Sequence, residues 1–341
     1  MKGNSKTLAD VAKLAGVSPS TVSRVIADNP KISEKTKKRV VKCMEEIGYY
    51  PNAIAQSLAN KRTGNIGIIM PHTEDEIFLN PFFPEALRGI VKETSNTDYD
   101  LLLSTNAKTG EELAIVKKLI RGSKVDGIIL MSSKQDDECI NYLKDIEFPF
   151  VLIGSPYEME GEINHVDNDN ENAAYELTKY LIEIGSEKIA FIGGDEKLVV
   201  TKKRIEGYKR ALKDMDKEFK DDLLLLGSFN EKTGFKYGDK IANMSDMPDG
   251  LIVTDDLVAF GVLKVFEGLG IKVPEDIALG SFNNSILSQH SPIPFTSVEI
   301  NAFELGKKSI NLLTKVIEKD IHGQLITVPY KIMKRDSTDR R

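Results

Sequence analysis

The chain has 341 residues, 41% of them hydrophobic and 29% charged, enough apolar material for two or three cored units rather than one. No run approaches the roughly 18 apolar residues that cross a bilayer, the opening MKGNSKTLADVAKLAG has no secretory core or cleavage site, and two isolated cysteines suit a reducing compartment, so a cytoplasmic protein without a membrane segment is expected. The net charge of −6 hides two unlike parts: residues 1–65 carry 12 Lys and Arg against 5 Asp and Glu, and the remainder carries 34 against 47. A basic head on an acidic body points to a polyanion at the head, although a solvated lysine-rich surface gives the same count.

Thr7 opens the first predicted helix, with its hydroxyl placed to accept from the Asp10 amide in a Thr-x-x-Asp capping box. Leu8, Val11, Ala12 and Ala15 recur at helical spacing, and Gly16 follows where a chain leaving a helix often takes positive φ. Ser18 caps a second helix with Pro19 at its first position, where the missing N–H costs nothing; Val22, Val25 and Ile26 give its buried stripe. Two short helices across a tight turn make a helix-turn-helix. Pro19, Ser20, Thr21, Ser23 and Arg24 are left facing outward. Arginine reads guanine through paired bonds, and serine or threonine hydroxyls suit phosphates or several bases. A third helix is predicted from the N-cap Ser33 through Val40, Met44 and Ile47 to Gly48, its lysines reading as a solvated face. Pro51 then breaks the chain, Asn52 can cap the short segment AIAQSLA, and Lys61 to Gly64 form a polar connector. So short a helix needs a partner to fold.

In order and spacing, TLADVAKLAGVSPSTVSRVIADNPKISEKTKKRV and IGYYPNAIAQSLANKRTGNIGIIMP resemble the head and hinge of the lactose-repressor (LacI/GalR) family. The resemblance implies a recognition helix in the major groove of double-stranded operator DNA, with Pro19, Ser20 and Arg24 at the main base-reading positions. Thr7, Ser18, Thr21 and Ser23 complete the DNA-facing set of the head. Asn52, Ala55, Gln56 and Ala59 fall on hinge positions that approach DNA, and Leu58 on the leucine that wedges into the minor groove and bends the duplex. An ordinary core leucine is the alternative for Leu58, but its segment has too little apolar surface to build a core. The resemblance also implies a homodimer on a pseudo-palindromic site. The closing KRDSTDRR offers no heptad helix for a tetramer.

Beyond residue 64, short apolar runs alternate with helical patterns. Strands are predicted at NIGIIM, DLLLST, DGIILM and FPFVLIG, then at KIAFIGG, LLLLGS, GLIVTDD and IALGSF. Helices such as EELAIVKKLIRG, AAYELTKYLIEIG and DLVAFGVLKVFEGLG lie between them. This alternation predicts an α/β body of two doubly wound parallel-sheet subdomains. The resemblance makes it a type I periplasmic-binding-protein body. Three divisions are expected: a helix-turn-helix domain over 1–50, a hinge helix and linker over 51–63, and an effector-binding domain over 64–341. Crossovers near Glu162 to Val166, Ser291 to Phe295 and Ile321 to Gln324 would split the last into 64–163 plus 293–322 and 164–292 plus 323–341. Open parallel sheets bind ligands at the carboxyl ends of their strands.

Asn80-Pro81-Phe82-Phe83 follows the first strand, and its aromatic faces suit either a sugar ring or a core. By the resemblance, Arg204 in TKKRIEGYKRAL is the arginine that grips the effector, a fork suited to paired hydroxyls or a carboxylate. Asp255 in VTDD and Asn283 in SFNN match two further pocket positions, Asn283 standing where much of the family has Asp. Lys108 and Asp167 are further candidates, with a surface lysine and a loop cap as the plainer readings. NPFFPEALRGI, VLIGSP, EINHVDNDN and SFNNS together are similar to the maltose-operon regulators of the family, implying maltose or a short maltodextrin as effector.

Enzyme signatures are missing. The stretch from Asn301 to Lys308 lacks the first glycine and the final Ser or Thr of a phosphate loop, and no GxGxxG or GxSxG occurs. His72, His165, His290 and His322 are scattered without zinc spacing. Consecutive Asp255 and Asp256 diverge and read as a strand-end cap. Neither a catalytic role nor a metal or cofactor is expected. A catabolite-control regulator driven by a phosphorylated carrier protein, and a sugar-binding receptor with no DNA role, remain the alternatives.

Overall fold

In the head, local signals become structure directly. The computed structural model describes residues 6–27, 29–49, 62–71, 74–105, 111–159, 161–319 and 321–340. Helix α1 spans Leu8–Ala15, α2 Pro19–Ile26 and α3 Glu34–Ile47. The Asp10 carboxylate accepts from the Thr7 amide at 2.8 Å while the Thr7 hydroxyl accepts from Asp10 N, closing the capping box. Gly16 ends α1 at φ 62°, and the Ser18 hydroxyl accepts from Thr21 N at 3.1 Å to start α2. Val11, Ala12, Ala15, Val22, Val25 and Val40 form the core. Val40 and Cys43 are the buried side chains of α3, and Met44 and Ile47 pack half-buried beside them. The chain divides between this unit, through Gly64, and a second beginning at Asn65.

The second unit holds two six-stranded sheets. The first contains β1 (Asn65–Ile69), β2 (Asp100–Ser104), β3 (Gly127–Leu130), β4 (Phe150–Ile153) and β5 (His165–Asp167). The second contains β6 (Ile189–Gly193), β7 (Leu224–Leu226), β8 (Gly250–Val253), β9 (Ala278–Phe282) and β10 (Thr296–Glu299). Late in the chain, β11 (Leu325–Thr327) returns to the first sheet and β12 (Lys331–Met333) to the second. The orders are β11-β5-β4-β3-β1-β2 and β12-β10-β9-β8-β6-β7, parallel throughout except for the antiparallel β10–β12 pair. Side chains alternate between faces. Ile66 and Ile68 join Ile129 and Val151 in one layer, whereas Ile69, Ile128 and Leu152 build the other. Burial on both faces is why these strands read as unbroken apolar runs.

Helices cover both faces of each sheet. In chain order these are α4 (Glu74–Leu79), α5 (Phe82–Thr94), α6 (Glu112–Arg121), α7 (Glu138–Asp145), α8 (Asn170–Glu183) and α9 (Val199–Asp214). They are followed by α10 (Glu231–Ala242), α11 (Asp256–Leu269), α12 (Ile286–His290) and α13 (Ala302–Lys319). Helices α5 and α13 cross at reciprocal glycines: a Cβ on Gly89 would lie 1.9 Å from Phe303 O, and one on Gly306 2.0 Å from Ala86 O. Only glycine allows that approach.

The crossovers differ from those expected. Each falls after a short strand that pairs within the subdomain the chain is leaving. β5 pairs with β4 before the chain crosses at Asn168, β10 pairs with β9 before it crosses at Ile300, and β11 pairs with β5 before it crosses at Val328. The expected positions at 162–166, 291–295 and 321–324 are therefore corrected towards the C-terminus, and the halves are about 65–167 plus 301–328 and 168–300 plus 329–340. Among the described residues no helix is long and apolar enough to cross a membrane, and no cluster of metal-ligating side chains occurs.

Candidate functional site

Two surfaces carry the predicted residues. On the head, Pro19, Ser20, Ser23 and Arg24 are exposed along α2, opposite Val22 and Val25. Thr21 is half-buried, its hydroxyl 2.9 Å from that of Ser18. Thr7 and Ser18 are exposed, and both cap helix starts. Asn52, Ala55, Gln56, Leu58, Ala59 and Lys108 lie outside the described residues.

The second surface is the cleft between the two sheets, at the carboxyl ends of their strands. Phe82, Phe83, Asp167, Arg204, Asp255 and Asn283 all line it, so six residues spread over 200 positions of sequence meet in one place. His290 ends α12 exposed and does not line it, and His165 is buried in β5 with Nδ1 2.8 Å from Ile163 O.

Arg204 lies on the first turns of α9 and is 4% exposed. Its Nε donates to Asn170 Oδ1 at 3.0 Å, a terminal nitrogen donates to Thr254 O at 2.7 Å, and its guanidinium carbon lies over the Phe282 ring, 4.1 Å from the centroid. Burial lowers its pKa to about 10, against the opposing pull of Asp167, Asp255 and Asp256, so it stays charged at neutral pH. Asp255 caps α11 by accepting from Leu257 N at 2.8 Å. Its other oxygen accepts from Asn80 Nδ2 at 2.8 Å and Asn283 Nδ2 at 2.9 Å, the first of these reaching across the cleft. Burial, reinforced by the adjacent Asp256, pushes the Asp255 carboxyl up to about 7. Burial also raises Asp256, whose oxygens accept from Ser281, Ser297 and Ser285 N.

Asp167 is more than a loop cap. Its carboxylate accepts from Ser155 Oγ at 2.8 Å, Asn168 N at 2.8 Å and Asn170 Nδ2 at 2.9 Å, and burial raises its pKa. The chain Arg204–Asn170–Asp167–Ser155 thus spans both halves. Phe82 and Phe83 meet edge to face at 5.2 Å, and Phe82 packs against the cores of both halves, so each reading of this pair holds in part. Sequence reasoning missed Asn80, Asn170, Thr254 and Phe229. For Asn170 a faint signal existed in the run DNDN beside a weak strand.

The cleft is shut. Gln135 N donates to Lys197 O at 2.9 Å and Val199 N to Ser133 O at 3.2 Å, an antiparallel bridge across its mouth. Between the halves lies a cavity of about 100 Å³.

An exposed helix-turn-helix joined to two largely parallel sheets, around a cleft lined by polar and aromatic side chains, defines a DNA-binding regulator with a ligand-sensing body. Residues 7–52 match the bacterial regulatory proteins of the lacI family, and residues 178–338 match the periplasmic binding protein-like domain. The chain is 36% identical over 325 residues to the HTH-type transcriptional regulator MalR of Streptococcus pneumoniae, covering 94% of this chain and 95% of that one. It is 33% identical over 335 residues to catabolite control protein A of Priestia megaterium, covering 97% and 99%. Among solved structures, the transcriptional regulator CelR–cellobiose complex superposes with a TM-score of 0.76 at 29% identity, covering 97% and 99%. The chain belongs to the lacI family and is a transcription regulator.

Proposed function

We propose that this chain is a homodimeric repressor of sugar-utilisation genes, released from its operator by maltose or a short maltodextrin. The observation that carries the sugar reading is the electrostatic setting of Arg204. Asp167, Asp255 and Asp256 already oppose its positive charge from within the protein, so the guanidinium is not left waiting for a phosphorylated or carboxylate ligand. Neutral hydroxyls, by contrast, can exchange bond for bond with Asn80, Asn170, Asp255 and Asn283, while Phe82, Phe83 and Phe229 supply apolar faces. Similarity to MalR and to a cellobiose-bound relative supports a disaccharide. The segments noted in the sequence support maltose.

In this reading Pro19, Ser20 and Arg24 read bases, the remaining polar residues of α2 hold phosphates, and the hinge segment with Leu58 widens the minor groove between paired heads. Sugar acts through its different affinities for the DNA-competent and incompetent dimers. The test is operator affinity of the full-length protein, on duplex DNA selected from a random pool, with and without maltose or maltotriose. A loss of tenfold or more, about 1.4 kcal/mol, is expected. Unchanged affinity overturns the sugar reading. The identity to catabolite control protein A favours one second reading, in which a phosphorylated carrier protein tightens DNA binding and free sugar does nothing.

A further inference from the structure

Asn168 lies at the first crossover, directly after β5, and is 6% exposed. Its side-chain amide donates to Val328 O at 2.8 Å and to Ile300 O at 3.0 Å. Those carbonyls are the first residues beyond β11 and β10, the positions at which the chain makes its other two crossings. One NH₂ group therefore ties together all three strands that join the halves, across sequence separations of 160 and 132 residues. A backbone bond from Val328 N to Asp167 O, at 2.8 Å, lies beside it. At its other end the same residue donates its own N–H to Asp167, which the Asn170 amide links to Arg204.

We propose that Asn168 is the pin of the inter-subdomain hinge, a positioning residue that restrains rotation of one half on the other and so holds the cleft shut. Two carbonyls facing one group demand two donors without charge. Aspartate presents oxygen to oxygen there, and alanine leaves both carbonyls without a partner in a buried site, where lost hydrogen bonds cost most. The crossing at Ile300 is then released from the other two, which keep only the backbone bond from Val328 N to Asp167 O. Asn168 borders the cavity, but its side-chain NH₂ is spent on the two crossings, so the inference holds whichever ligand the cleft takes.

The test needs no ligand. Hydrogen exchange is measured on the full-length protein for the amides of Gln135 and Val199, whose bonds cross the mouth of the cleft, and for the strand amides of β3 and β8, which stay within one half. In Asn168→Ala and Asn168→Asp, exchange at Gln135 and Val199 is expected to rise tenfold or more while the strand amides keep their protection. Exchange that rises everywhere in parallel would mean a general loss of stability and overturns the proposal. Unchanged exchange at the two mouth amides overturns it equally. Alanine is the milder variant and carries the test alone if aspartate prevents folding.

Discussion

The head and the cleft use polar side chains in opposite ways. On α2, Ser20, Ser23 and Arg24 stand in solvent, ready to meet a partner that supplies its own acceptors. In the cleft Arg204, Asp167 and Asp255 are almost wholly buried and already bonded to protein groups. A surface of the first kind gains bonds on binding. A site of the second kind exchanges them, and the exchange must break links such as Asn80–Asp255 that join the two halves. That contrast supports the proposed division, with DNA recognised at the first and switching at the second.

The division can be broken most forcefully at Arg204. Arg204→Ala is expected to weaken maltose binding by about 100-fold or more, close to 3 kcal/mol, while operator binding survives. Titration of both ligands on the same preparation checks it, and loss of operator affinity in a folded variant would show that the two regions do not separate in this way. The converse variant, Arg24→Ala, should cost about 1–3 kcal/mol of operator affinity and relax preference at one base pair. Calorimetry should find its maltose affinity unaltered; a parallel drop would place Arg24 in the coupling rather than the readout.

A smaller effect concerns pH. Because burial raises the Asp255 carboxyl to about 7, the folded chain holds a proton that the unfolded chain has already released. That contribution is fully present below about pH 4 and is lost as pH rises through about 7. Asp255→Asn should flatten the decline of melting temperature between pH 5 and 8, by an amount of order 1 kcal/mol. Parallel melting profiles would mean that Asp255 does not titrate differently on folding.

The same contrast explains what could be read from sequence. In the head the capping box, the Gly16 turn and the apolar stripe are all local, and the three helices follow from them. Strands such as Gly127–Leu130 and Gly250–Val253 announced themselves because burial on both faces demands unbroken apolar runs. The short strands His165–Asp167 and Thr296–Glu299 carry polar residues and run three or four long, so their sheet membership depends on neighbours far away in sequence. Missing these two and Leu325–Thr327 displaced every crossover. Residues such as Arg204 and Asp255 were legible through a family pattern, whereas Asn80 and Asn168 were not. The partners of these two lie more than a hundred residues away, and only the fold brings them together.

Coupling between cleft and head is best tested through its reciprocity. If maltose lowers operator affinity by some factor, saturating operator DNA must lower maltose affinity by the same factor. Calorimetric titration of maltose into free and operator-bound protein should therefore show weaker binding to the complex, by tenfold or more and matching the change seen from the DNA side. Equal maltose affinity in the two states would contradict the account, because a ligand that does not distinguish them cannot switch them.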